Sequence, residues 1–253
     1  MPATALHPRS ATEIIDASFQ LLRQYYPQLV ALSVVALLPY MVLAVLAGDP
    51  ATNPVGAMGV LAAQLLCTSL AEAAVIVAVS DGYLEGQVDI RHALLHTASR
   101  LPSIIGALIL RGLAVVLGLI ALLVPGVYIA LRTFAATAAV VLEDESASGG
   151  VSRSWRLGKG EVGKILTTML LAWLIYIVLF VVLLILIGII VGQNPVLVPI
   201  LTAVMLAFVY PFTGVVTTLL YYDLRVRHEG FDLELLAREV ALPEHDTART
   251  GLE

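Results

Sequence analysis

The chain has 253 residues, of which 59% are hydrophobic and 13% charged, and its mean hydropathy is +0.94. Soluble domains carry about 25% charged residues, so this composition cannot supply a polar surface. The formal net charge of −5 argues against a nucleic-acid partner, which calls for a basic face, and the lone Cys67 excludes an intrachain disulfide and a Cys-based metal cluster.

The first periodic segment is EIIDASFQLLRQYY, residues 13–26. Ile14, Ile15, Ser18, Phe19, Leu22, Tyr25 and Tyr26 fall on one helical face, opposite Glu13, Asp16, Gln20, Arg23 and Gln24. Such a helix is expected in the membrane interface, with its tyrosines at headgroup level. A bilayer core of about 30 Å takes roughly 20 apolar residues. Residues 29–47 supply one such span, broken by GDPATNP at 48–54, and 55–80 supply a second, ended by DGYLEGQ. VLA at 45–47 would suit a signal peptidase, but the segment before it is too long and carries Glu13 and Asp16.

Residues 89–100, DIRHALLHTASR, repeat the amphipathic pattern. Ile90, Ala93, Leu94, Thr97 and Leu101 share a face opposite His92, His96 and Ser99. As a single helix the run 101–142 would be about twice as long as the core is thick, so it is expected to turn back at VPG, 124–126. A weaker amphipathic segment, 150–164, groups Val151, Trp155, Gly158 and Val162. The run 165–222 is interrupted by GQNP at 192–195 and makes two more spans, six in all.

Every Lys and Arg outside the spans lies in the N-terminal segment, in 81–100, in 143–164 or in the C-terminal tail. The turns at 48–54, 124–126 and 193–196 carry none. The positive-inside rule then puts both termini in the cytoplasm. The expected fold is an all-α integral membrane protein with six transmembrane helices in three hairpins. Each hairpin is preceded by an amphipathic interfacial helix, and the chain is N-in and C-in. Residues 1–28 form a cytoplasmic N-terminal segment, 29–222 the membrane domain and 223–253 a cytoplasmic tail. SFQL at 18–21 echoes SWRL at 154–157, and Pro27 and Pro102 stand at matching starts of spans, so the three units read as loose repeats.

Three stretches carry a family likeness: PGVYIALRTFAATAAVVLE (125–143), SRSWRLGKGEVGKIL (152–166) and YYDLRVRHEGFDLELL (221–236). With the span count, they make nearly the whole chain resemble the bacterial membrane-domain family associated with glycerophosphoryl diester phosphodiesterases. In similar proteins the phosphodiesterase activity belongs to a separate soluble barrel with its own catalytic motifs and metal. The spans leave no room for such a barrel here. The resemblance therefore implies the membrane domain without the enzyme, and RHEG at 227–230 is not taken as a catalytic motif.

The candidate site residues are charges inside the spans. Glu72, Arg111 and Arg132 sit eight to eleven residues from the cytoplasmic ends of their spans, roughly 12–17 Å deep at about 1.5 Å per residue. A charge at mid-bilayer costs on the order of 2.5–3.5 kcal/mol, so each is expected to face the interior and find a partner. Glu72 is expected to pair with Arg111 or Arg132 in a polar cluster, as a structural ion pair or as a site for an anionic headgroup or solute. At the cytoplasmic end, Arg225, Arg227 and His228 are weaker candidates for an anionic partner, set against a plain interfacial role. His92 and His96, spaced i, i+4, would suit a metal only with further ligands at the right spacing; a solvated polar face is the plainer reading. No nucleotide, protease or hydrolase fingerprint is present, and no cofactor is expected. The expected function is a non-catalytic multi-pass protein of the bacterial inner membrane that binds or organises lipids or a membrane partner, which includes a second copy of itself. The alternative is a transporter or exporter of an amphiphilic or anionic small molecule.

Overall fold

The computed structural model describes residues 8–47, 53–84, 86–192, 197–231 and 233, and among them it is all-helical. In chain order the helices are α1 (Ala11–Ala47), α2 (Pro54–Leu84), α3 (Ile90–Ser99), α4 (Leu101–Ala121), α5 (Leu123–Arg132), α6 (Ala136–Leu142), α7 (Ala147–Leu157), α8 (Val162–Val191), α9 (Leu197–Val209) and α10 (Pro211–Glu229). Six helical stretches are long and apolar enough to cross a membrane: α1, α2, α4, α5 with α6, α8, and Ile200–Glu229. In α8 none of the most apolar window is buried, and Trp173, Leu174, Ile189 and Ile190 are all exposed. So wide an apolar surface fits hydrocarbon and not water.

The N-terminal segment and the first span form one long helix with a kink. Tyr25 leaves helical geometry at φ −116°, ψ 15°, two residues before Pro27. Proline removes an N–H and its ring crowds the preceding turn, which accounts for the kink. The Tyr25 hydroxyl donates to the Gly82 and Gly86 carbonyls, 3.2 Å each, and ties the kink to the end of α2. Before the kink, Ile14, Ser18, Leu21 and Tyr25 are buried, a spacing that faces one neighbour, while Phe19 is left outside. The segment expected as an interfacial amphipathic helix is continuous with the first span and packs on α2 and α10.

The turn between the third and fourth spans falls earlier than expected. It is at Leu122, in extended geometry (φ −169°, ψ 156°), and Pro125 and Gly126 lie inside the first turn of α5. Proline is tolerated there because the first N–H groups of a helix lack partners anyway. Gly126 is needed for contact: a Cβ on it would come within 2.7 Å of the Leu119 backbone N. The α4 and α5 backbones touch at Gly118 and Gly126.

The fourth span breaks at 133–135, and α7 packs on the following α6. The buried face of α7 is Gly150, Ser154 and Leu157, one residue round from the expected Val151 and Trp155. The reason is size. A Cβ at Gly150 would meet Val140 Cγ2 at 2.5 Å and the Ala136 carbonyl at 2.8 Å. Ser154 Oγ donates to the Arg132 carbonyl at 3.0 Å and accepts from the Ala135 N–H at 3.1 Å, so it fills the break in the fourth span. Trp155 is the residue turned outward. The main core joins α6, the charged-end half of α2 and the last turns of α10, where residues 73–80 are all buried. The expected turn at 193–196 and most of the expected tail at 223–253 lie outside the described residues.

Candidate functional site

Glu72, Arg111 and a set of hydroxyl side chains inside the spans converge on one cavity of about 380 Å³, lined chiefly by α2, α4, α8 and the α9–α10 junction. Helical spacing accounts for the convergence. Leu65, Thr68 and Glu72 follow one another along α2, Met169, Trp173 and Tyr176 along α8, and Tyr210, Thr213 and Thr217 across the start of α10. Glu72 and Arg111 both line this cavity and lie within electrostatic range of each other. Among the described residues they form no ion pair. Glu72 Oε1 accepts from the Thr217 hydroxyl at 3.5 Å, which is the outer limit of a hydrogen bond. Thr213 Oγ1 donates to the Tyr210 carbonyl at 2.8 Å, using an acceptor released where α9 breaks into α10.

Arg132 does not belong to this cavity, so the expected cluster of three is two residues and a separate arginine. The Arg132 side chain is buried against α7. Its Nε donates to the Trp155 carbonyl at 3.1 Å, and a terminal nitrogen donates to the Tyr128 hydroxyl at 2.7 Å. The guanidinium lies 4.5 Å from the Trp155 ring centroid and 5.5 Å from that of Tyr128. A cation is favourable at the C-terminal carbonyls of a helix and over aromatic faces. These contacts give Arg132 a structural role that does not involve Glu72.

Of the candidates at the charged end of the bundle, Arg225 and Arg227 are engaged with the fold. Asp223, which is buried, takes Lys164 and the Arg9 backbone N–H (2.6 Å) and also Arg227 (2.9 Å). Arg225 Nε lies 3.3 Å from Glu143 and 3.2 Å from Glu229. Its guanidinium also stands 4.0 Å from the centroid of the Phe231 ring. Arg153 grips Glu143 at 2.7 and 2.9 Å and bonds Glu229 as well, and the Tyr221 hydroxyl donates to Glu143. Burial raises the Glu143 carboxyl, but hydrogen bonds from Arg153 and Tyr221 outweigh it and hold the group below its ordinary value. The bonds to Glu229 and Glu143 push the Arg153 guanidinium up. His228 is exposed.

His92 and His96 do not converge on a ligand. His92 Nδ1 lies 2.9 Å from Asp81, and His96 Nε2 bonds the Val141 carbonyl at 2.8 Å. Among the described residues, no group of three or more His, Cys, Asp or Glu stands where it would hold a metal.

Sequence reasoning named Glu72 and Arg111 but missed Thr68, Ser69, Tyr176, Tyr210, Thr213 and Thr217. The signal was present as polar side chains at i, i+4 spacing, Thr68 with Glu72 and Thr213 with Thr217, inside otherwise apolar helices. A second, larger groove of about 540 Å³, between residues 19–26 of α1, helices α8 and α9 and Phe212 of α10, is lined by apolar and aromatic side chains. No family model, curated protein or solved structure matches this chain.

Proposed function

We propose that the chain is a non-catalytic multi-pass protein of the bacterial inner membrane that binds or organises lipids, and that the Glu72–Arg111 cavity is where a lipid headgroup docks. In this reading the six spans form three hairpins with both termini in the cytoplasm, in keeping with the placement of Lys and Arg. The resemblance to the membrane domain associated with glycerophosphoryl diester phosphodiesterases is part of the same proposal. The observation that carries it is a cavity with two opposite charges inside a bundle whose outer face is apolar. Such a site is within the size range of small-molecule pockets, about 300–1,000 Å³.

Transport of an amphiphilic or anionic solute through the Arg111 region is the second reading, and the same pair of charges favours it. The packing beyond the cavity favours binding: Thr218, Leu219, Leu220, Tyr221, Tyr222 and Leu224 are all buried between the cavity and the charged end. The non-catalytic reading is supported by the engagement of Arg225, Arg227, Arg153 and Glu143 with one another. Native mass spectrometry of the protein released from membranes tests the binding. Discrete lipid adducts are expected on the wild type and are reduced on Arg111→Ala. A wild type that carries no adduct, or a variant that carries as many, overturns the reading.

A further inference from the structure

We propose that the cavity selects a zwitterionic headgroup, with a phosphate received by Arg111 and an ammonium by Glu72. This rests on the lipid-binding reading above and adds the chemistry of the ligand. The argument starts from what the two side chains lack. A guanidinium presents five N–H donors. Among the described residues the Arg111 side chain makes no hydrogen bond and no ion pair, although it lies in a helix of apolar residues and lines the cavity. Glu72 has the single long contact to Thr217 at 3.5 Å. Both charges therefore face the same space with their hydrogen-bonding capacity largely unused.

Charge balance then selects the ligand. A purely anionic ligand on Arg111 would meet the Glu72 carboxylate across a cavity of about 380 Å³. A purely cationic ligand would meet Arg111 in the same way. Unpaired and like charges in a poorly solvated site are the costly arrangements, so the complement of an acid and a base is a molecule carrying one charge of each sign. The walls agree with this. Trp173, Tyr176 and Tyr210 supply aromatic rings, whose faces attract an ammonium group, and Thr68 and Thr213 are hydroxyl residues of the lining. Leu65 and Trp173 both line the cavity and are 55% and 64% exposed, so the cavity has an apolar rim on the part of the bundle where hydrocarbon would lie. A phospholipid can reach the site from there with its chains still in the bilayer. A free phosphoammonium solute carries the same two charges and is the other source.

The test is a binding titration of the full chain in detergent, read by native mass spectrometry. The probes are phosphatidylethanolamine, phosphatidylglycerol of the same chain length, and free phosphoethanolamine. The expected result is about tenfold tighter binding of the ethanolamine lipid than of the glycerol lipid on the wild type. Glu72→Gln, which keeps the side chain's shape, should bring that ratio close to one while glycerol-lipid binding persists. Arg111→Gln should weaken both. Displacement of the lipid by free phosphoethanolamine assigns the ligand to solution, and failure to displace it assigns the ligand to the bilayer; in both cases the zwitterion is supported. Equal or tighter binding of the glycerol lipid on the wild type overturns the proposal, and that arm needs no variant to fold. A preference that survives in Glu72→Gln overturns it also. Binding without preference leaves the lipid-binding reading standing and removes this one, whereas no binding of any probe removes both.

Discussion

Glu143 shows how much one carboxylate can organise. It stands at the end of α6 and collects Arg153, Arg225 and Tyr221 from α7 and α10. Its pKa is held below the ordinary carboxylate value of 4.5. A group whose folded pKa is depressed contributes stability above its unfolded pKa and loses it as pH falls through the folded value. Purified protein should therefore lose thermal stability below about pH 4.5, and Glu143→Gln should flatten part of that loss while lowering Tm at neutral pH. A variant with an unchanged acid profile would show that Glu143 is not one of the groups responsible. Arg132 is the second residue with a measurable role. It is 6% exposed and holds the last turn of α7 through the Trp155 carbonyl. Truncation leaves that carbonyl and the Tyr128 hydroxyl without their partner, at about 1–3 kcal/mol. Arg132→Ala should lower Tm clearly, and Arg132→Lys should recover little of it. A lysine cannot present the planar fork that reaches Trp155 and Tyr128 together.

At the scale of the helix, close approach decides the geometry. The α4–α5 pair is set by Gly118 and Gly126, where backbone meets backbone. Gly126→Val would place its Cβ 2.7 Å from the Leu119 backbone N, which no side-chain rotation relieves. Overpacking of this kind costs typically about 1–3 kcal/mol, so the variant should unfold at lower temperature. Gly112 is the matched control. It lies in α4 as well, but a Cβ there meets nothing within 4 Å. Gly112→Ala should be neutral or gain up to about 1 kcal/mol from helix propensity. Equal losses at the two positions would show that the tight crossing is not what these glycines serve. The breaks at Leu122 and 133–135 belong to the same scale. They follow from which backbones can touch, and a run of apolar letters does not record that.

For the whole molecule the placement of Lys and Arg sets the expected direction. If the charged end that holds Arg9, Lys164, Arg227 and Asp223 is cytoplasmic, Asn53, exposed just before α2, faces outward. Cysteine labelling in intact cells checks this once Cys67, which is buried, has been replaced. Asn53→Cys should react with a membrane-impermeant reagent and His228→Cys should not. Labelling at 228 alone would invert the orientation.

The number of long apolar helices was legible without any structure, because hydrocarbon thickness sets a minimum run length and the chain has no polar surface to offer instead. The side on which Lys and Arg collect was legible for the same reason: charges stay out of hydrocarbon. The candidate site was half legible. Counting residues from a span's end gives depth along the axis, and on that measure Glu72, Arg111 and Arg132 looked equivalent. Depth is one coordinate. Which way a side chain points around its helix depends on the neighbour that covers it. The break after Arg132 lets α7 fold against the fourth span and take that arginine for its own carbonyl end, while Arg111 turns to the cavity with Glu72. The buried face of α7 was missed likewise, because Gly150 and Ser154 are small enough for α6 to come close and apolar patterning scores them as nothing. Helix count and charge placement follow from transfer free energy, residue by residue. The pairing of charges and the faces that meet follow from packing, which only the assembled helices decide.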